Sequence, residues 1–215
     1  MELDPGFKTA RLYLATAYLS QYIPGAESPE NVRLAEKAEQ EYQRVLELDP
    51  ENELAIASIA SLDFNMKKLD EARDWNKKLI AINPQSKEAY YTLGVIAWTQ
   101  WLAPDRDARN KLGMQPEDPG PLTLDSLRLE LKARFIANLD EGIASIEKAL
   151  EIDKEYDDAM AYMNLLVRYR ADLVTHERST HGRSRLPTSG SERLSPPNNG
   201  RLAGSNSRSK PAIGY

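Results

Sequence analysis

The sequence of 215 residues contains no cysteine, which excludes disulfides and thiolate metal sites. It holds two histidines, His176 and His181, both in its final stretch. A Ser/His/Asp triad or a His-based metal site is thereby excluded from the chain before Thr175. The segment "THERSTH" that contains them lacks the ligand spacing of a zinc helix. There is no Gly-rich phosphate loop. No apolar run reaches about 18 residues, so no membrane span is expected. No basic stretch followed by an apolar core opens the chain, so no signal peptide is read there. Acidic pairs such as Asp157-Asp158 and Glu39/Glu41 fall where helix starts and exposed faces are expected. They read as solvated carboxylates rather than acid/base pairs. No catalytic residue, cofactor or metal is expected, and the chain does not read as an enzyme.

What charge there is divides unevenly. Residues 175–215 carry six Arg and one Lys against two Glu, a net +5, and the whole chain carries −5, so residues 1–174 carry −10. An acidic body does not favour nucleic acid, because phosphate contacts need clustered Lys and Arg. The final stretch is rich in Ser, Arg, Gly, Pro and Asn and poor in apolar residues. It cannot bury enough surface to offset its ordering entropy, so 174–215 is expected to be a disordered tail. Such a tail is either a basic arm for an acidic surface or an inert end.

Internal repetition dominates the remainder. Pro50 and Pro84 lie 34 residues apart, as do Asp49 and Asn83, Leu46 and Ile80, and Ile56 and Tyr90. The complete unit, Glu53–Ser86, carries Ile56, Ile59, Ala60 and Asp63 on one helical face. A second face follows with Ala72, Asn76 and Leu79. Residues spaced i, i+3, i+4, i+7 share a helix face. The Asx-Pro pair ends the second helix, because a residue before Pro avoids the α region. Tyr90, Leu93, Gly94 and Ala97 begin the next unit, and Gly142, Ile146 and Ala149 finish it. From Asn83 to Asp153 is 70 residues, so 36 are inserted between these two helices. Arg11, Leu14, Ala15 and Tyr18 with Ala38, Tyr42 and Val45 form the first unit, with 11 residues inserted near 22–32. Met160, Met163, Asn164 and Val167 begin a fourth unit. Its second helix is owed near Leu173, where the composition changes.

This period, with two helical faces per unit, resembles the tetratricopeptide repeat. The resemblance covers roughly Leu3–Arg170 and implies an all-α, right-handed superhelical solenoid of about three and a half antiparallel helical hairpins. Asp63 and Asn76 stand where the family prefers apolar residues, and Trp75 is expected to fill part of that gap. A hairpin cannot bury its face alone, so neighbours stack into one core. The Asp-Pro closures and the long insertion resemble bacterial members. "LDPGF" at the start reads as the closing turn of a unit whose helices are absent. The chain therefore reads as a slice of a longer array, able to self-associate through unfinished ends.

Within the insertion, set at 102–138, Leu102–Leu122 is expected to be irregular, with a short helical turn near Arg106–Leu112. Gly113, Pro116, Pro119, Gly120 and Pro121 argue for this. One long helix is expected from Asp125 to Ile152, with candidate N-caps at Thr123 and Asp125 and a break near Asn138. The insertion is either functional or a decoration of the groove.

The resemblance also implies a function. First helices in this family line a concave surface that binds extended peptides or helices. By register the candidate groove residues are Leu12, Thr16, Ser61, Phe64, Tyr91, Val95, Trp98, Leu165 and Arg168, with Thr9, Ala57 and Ala161 beside them. Chaperone-docking members hold a C-terminal carboxylate with Lys, Arg and Asn. Here Leu12, Ala57, Tyr91, Thr16, Ser61 and Val95 take those places, so acidic chaperone tails are not expected as ligands. Tyr91, Trp98 and Trp101 either anchor a partner or are covered by the insertion that follows them. The expected role is a protein-binding scaffold. The alternative is a structural segment of a larger repeat protein with no ligand of its own.

Overall fold

The computed structural model describes residues 7–115, 118 and 120–174. Expectations for Leu3–Pro5, Pro116, Pro119 and the tail from Thr175 fall outside them. The described residues form seven helices and no strand: α1 (Lys8–Leu19), α2 (Pro29–Leu48), α3 (Glu53–Asn65), α4 (Leu69–Ile82), α5 (Lys87–Lys111), α6 (Asp125–Ile152) and α7 (Asp157–Val174). They pair as α1/α2, α3/α4 and α5/α6, and α7 packs on α6 and α5. This is the all-α hairpin solenoid that the repeat implied.

The register holds in the core. Ile56, Ile59, Ala60 and Asp63 of α3 are buried against Ala72, Asn76 and Leu79 of α4. Ala38, Tyr42 and Val45 of α2 are buried against Ala15 of α1. Gly94 and Gly142 set the approach of α5 to α6. A Cβ on Gly94 would lie 2.3 Å from Ile146 Cγ1, and one on Gly142 would lie 2.6 Å from Ala97 Cβ. A Cβ at Gly142 would require the helices to move apart, and one at Gly94 would require the Ile146 side chain to shift.

Three buried polar residues of this core, Asn76, Asp63 and Glu41, have hydrogen-bonding or charged partners. The Asn76 amide donates to Ala72 O at 2.7 Å on its own helix. Asp63 pairs with Lys68 at 3.3 Å, and Lys68 reaches Glu39 of α2 at 3.1 Å. Burial, reinforced by Glu39, holds the Asp63 carboxyl above the usual range. Glu41, expected on a solvated face, is instead buried between Arg11 at 2.9 Å and Arg44 at 2.5 Å. Trp75 is half-buried against the same core, with Lys78 over its ring.

Each hairpin is closed at its base by the same device. The first residue of α1, α3 and α5 bonds the residue that ends α2, α4 and α6. Lys8 reaches Asp49 at 2.8 Å, Asn83 donates to Glu53 at 2.8 Å, and Lys87 reaches Asp153 at 2.6 Å. Both Asp carboxyls sit below the usual range. The Asn52 side chain and Lys8 do this at Asp49, and Lys87 with the Glu155 amide at Asp153.

The insertions differ from expectation. The first is shorter as a loop: Ser28 caps α2 by accepting from Asn31 N, with Pro29 at the first helical position. Asn31 is buried and bonds Ile23 and Ala26, folding the loop onto the helix. In the second, Leu102–Lys111 is not irregular; α5 runs on through Pro104. An interior Pro costs about 3 kcal/mol. Burial of Trp101 and Ala108, and a buried Arg109–Asp105 pair one turn apart, offset it. Among the described residues of this insertion, irregular backbone is confined to 112–115, 118 and 120–124. No break occurs at Asn138, whose side chain donates to Ala97 O instead. Neither Thr123 nor Asp125 caps α6; Leu124 holds that place with no side-chain bond.

Arg109 organises the loop. Its Nε donates to both Asp105 oxygens, Nη1 to Asp118 O at 3.0 Å, and Nη2 approaches Gly120 O and Asp172, each at 3.4 Å. Arg128 donates to Leu173 O at 3.1 Å, satisfying a carbonyl of the last turn of α7. The inserted segment is thus bound to α7 by two buried arginines. Burial raises Asp105 and Asp172 above the usual carboxylate range despite Arg109 beside them.

Candidate functional site

The register places every third or fourth residue of the first helices on one face, as with Ala57, Ser61 and Phe64 on α3 and Tyr91, Val95 and Trp98 on α5. Between α3, α4 and α5 this surface opens into a cavity of about 670 Å³, reached at one edge by Tyr162 of α7. Its size falls in the range of ligand pockets. Of the residues picked from sequence, Ser61, Phe64, Tyr91, Val95 and Trp98 line it together, with Ala57 beside them. Leu12 and Thr16 lie on α1, away from this cavity, where Thr16 Oγ1 meets Tyr42 Oη at 3.2 Å. Leu165 and Arg168 lie on α7 and do not line it either; Arg168 stands over the Tyr169 ring.

The wall is mostly neutral. Among the lining residues only Lys67 and Glu88 are charged, and both are exposed. Lys67 takes a left-handed backbone (φ 64°) at the turn from α3 to α4, which aims the chain into α4. Small side chains at Ala57, Ala60, Ser61 and Ala89 keep the floor open.

The aromatic end is built, not loose. Tyr91 packs on Tyr156 at 5.1 Å and edge-on to Tyr162 at 5.5 Å, and Trp98 meets Tyr162 edge-on at 5.4 Å. Such geometries suit the ring quadrupoles. Burial, with Tyr162, Asp158 and Tyr156 nearby, pushes the Tyr91 hydroxyl up to about 12. Trp101, by contrast, is fully buried against Phe135 of the insertion and Tyr169. So the insertion covers Trp101 and leaves Trp98 on the cavity wall. Sequence reading missed Tyr162, because its register position belongs to the α7 face that packs inward. The spacing of Tyr156, Tyr162 and Tyr169 was the available signal. Among the described residues no cluster of three or more metal-ligating side chains occurs, and no helix is long and apolar enough to cross a membrane.

Residues 34–94 match the family model described as tetratricopeptide repeat. No curated protein matches the chain. Among solved structures, the crystal structure of MamA is similar at 18% identity, with a TM-score of 0.50, over 80% of this chain and 74% of that one. The first repeat domain of Spaghetti (RPAP3), bound to the HSP90 peptide SRMEEVD, is 16% identical with a TM-score of 0.49, over 80% and 98%. The OM64 repeat domain from Arabidopsis is 13% identical with a TM-score of 0.48, over 75% and 95%. The tetratricopeptide repeat is thus matched over residues 34–94, and the described helical hairpins on either side of that segment continue the same fold.

Proposed function

We propose that this protein is a non-catalytic scaffold that holds a protein segment in the cavity between α3, α4 and α5. The observation that supports this is the cavity itself. About 670 Å³ is lined by small and apolar side chains and closed at one end by Tyr91, Trp98 and Tyr162. The walls also say what kind of segment fits. With one exposed Lys and one exposed Glu at the rim, nothing balances a run of like charges on a ligand. Leu12, Ala57 and Tyr91, with Thr16, Ser61 and Val95, stand where chaperone-docking relatives of the family hold carboxylates. The proposed ligand is therefore an uncharged stretch with apolar anchors, placed against the aromatic end.

The test uses a displayed library of random 16-residue peptides panned on the whole chain. Recovered peptides should be neutral and apolar, and Ser61→Trp, which fills the cavity from an exposed position, should weaken them at least about tenfold. Recovered peptides that are acidic, or that bind Ser61→Trp as well as the original, would sink the proposal.

A further inference from the structure

In each complete hairpin the second helix covers an outer stripe of the first. Ile56 and Ile59 of α3 are fully buried that way, and Leu93 and Ala97 of α5 are 8% and 3% exposed. At the same register positions α7 carries Met160, Met163 and Val167. Met160 is 43% exposed, Val167 is 48% exposed, and Val174, seven residues further on, is 38% exposed. The face that α2, α4 and α6 cover elsewhere has no helix on it among the described residues. Asp157 shows the same vacancy at the hairpin base. It is the register equivalent of Lys8, Glu53 and Lys87, each of which bonds the end of its partner helix. Asp157 has no such bond among the described residues. The template is repeated three times in this chain, so it specifies the missing cover: an antiparallel helix with an apolar face.

The sequence after Val174 is interrupted often by Gly and Pro. Its longest run free of Gly and Pro is the seven residues 175–181, half the 14 of α4, the shortest second helix. We infer that the cover is α7 of a second copy, packed antiparallel across a two-fold axis. The stripe Met160, Met163, Val167 and Val174 is self-complementary, as an isologous contact requires. The charge order along α7 selects the antiparallel sense. Asp157 and Asp158 begin the helix, while Arg168 and Arg170 lie near its end. Antiparallel pairing runs acidic start along basic end and opposes the two helix dipoles; parallel pairing sets like against like. Arg170 also pairs with Asp140 within its own copy, which fixes it at that end. The candidate groove residues Ala161 and Leu165 lie on another flank of α7, so both surfaces are usable together. One helix from each copy makes a contact at or below the low end of stable interfaces, about 1,200 Å² in total. The dimer is therefore weak, with a Kd in the micromolar range or above.

Sedimentation equilibrium on the whole chain, from about 1 to 500 μM, tests this. The expected result is a monomer–dimer equilibrium that Val167→Asp weakens at least about tenfold with helical dichroism unchanged. Tyr13→Asp, on the 74% exposed Tyr13 of α1, should leave it intact. A monomer throughout the range would overturn the inference. So would a dimer indifferent to Val167→Asp, or open-ended association. Dimerisation that appears only after residues 175–215 are removed would also overturn it, assigning the cover to the chain's own end.

Discussion

Gly142 fixes how close α6 lies to α5. A methyl group there would sit 2.6 Å from Ala97 Cβ, backbone-anchored on both sides. Overpacking of this kind costs about 1–3 kcal/mol. Gly142→Ala should lower the urea midpoint accordingly without changing the slope; an unaltered midpoint would show that α6 can shift freely. The carboxylates make a second test, with two opposite signs. Asp63 is raised by burial, so its contribution is fully present below its ordinary value of 3.8 and is lost as pH rises through the raised one. Asp63→Asn should therefore gain on the natural chain as pH rises from about 3 to 6. Asp153 is lowered by Lys87 and the Glu155 amide, so its contribution is present above 3.8 and is lost as pH falls through the lowered value. Asp153→Asn should cost most near neutrality and least near pH 2. Urea denaturation of both variants across this range reads the two slopes, and slopes of one sign would contradict the assignment.

At the scale of elements, the second insertion is part of the fold rather than an appendage. It lengthens α5 and α6 and binds them to α7 through Arg109 and Arg128. Arg109→Met leaves Asp105 buried without its partner, a loss of about 3–5 kcal/mol. Hydrogen exchange should rise across 103–124 and the end of α7, and stay unchanged in α3 and α4, which share another core. Uniform acceleration over all helices would contradict a local role. The hairpins themselves were legible because helix faces repeat at fixed intervals and Asp49-Pro50 and Asn83-Pro84 mark two closures. The course of α5 past Pro104 was not legible. A Pro ends a helix unless tertiary contacts outweigh it, and those contacts come from Phe135 and Asp172, 31 and 68 residues further along. Thr123 and Asp125 are good caps by type. α6 starts at Leu124–Asp125 because Leu122 and Leu131 bury there, so packing and not capping set the boundary.

At the scale of the whole molecule, packing of successive hairpins brings residues of α3, α4 and α5 around one cavity. Register alone gathered Ser61, Phe64, Tyr91, Val95 and Trp98 at one cavity, since α3 and α5 both present that face to the space beside α4. It also named Leu12, Thr16, Leu165 and Arg168, which lie on the outer helices α1 and α7, off that cavity. Period says which way a residue points, not where the surface deepens, and depth depends on small residues meeting by chance of neighbours. Tyr162 reaches the cavity from an inward position for the same reason. The most direct measurement is an amide hydrogen-exchange footprint of a library-selected neutral apolar peptide on the whole chain. We expect protection to centre on α3 and α5 around Ser61, Tyr91 and Val95. Protection confined to the insertion between Leu112 and Leu124, or to the outer face of α7, would contradict the concave groove as the binding surface.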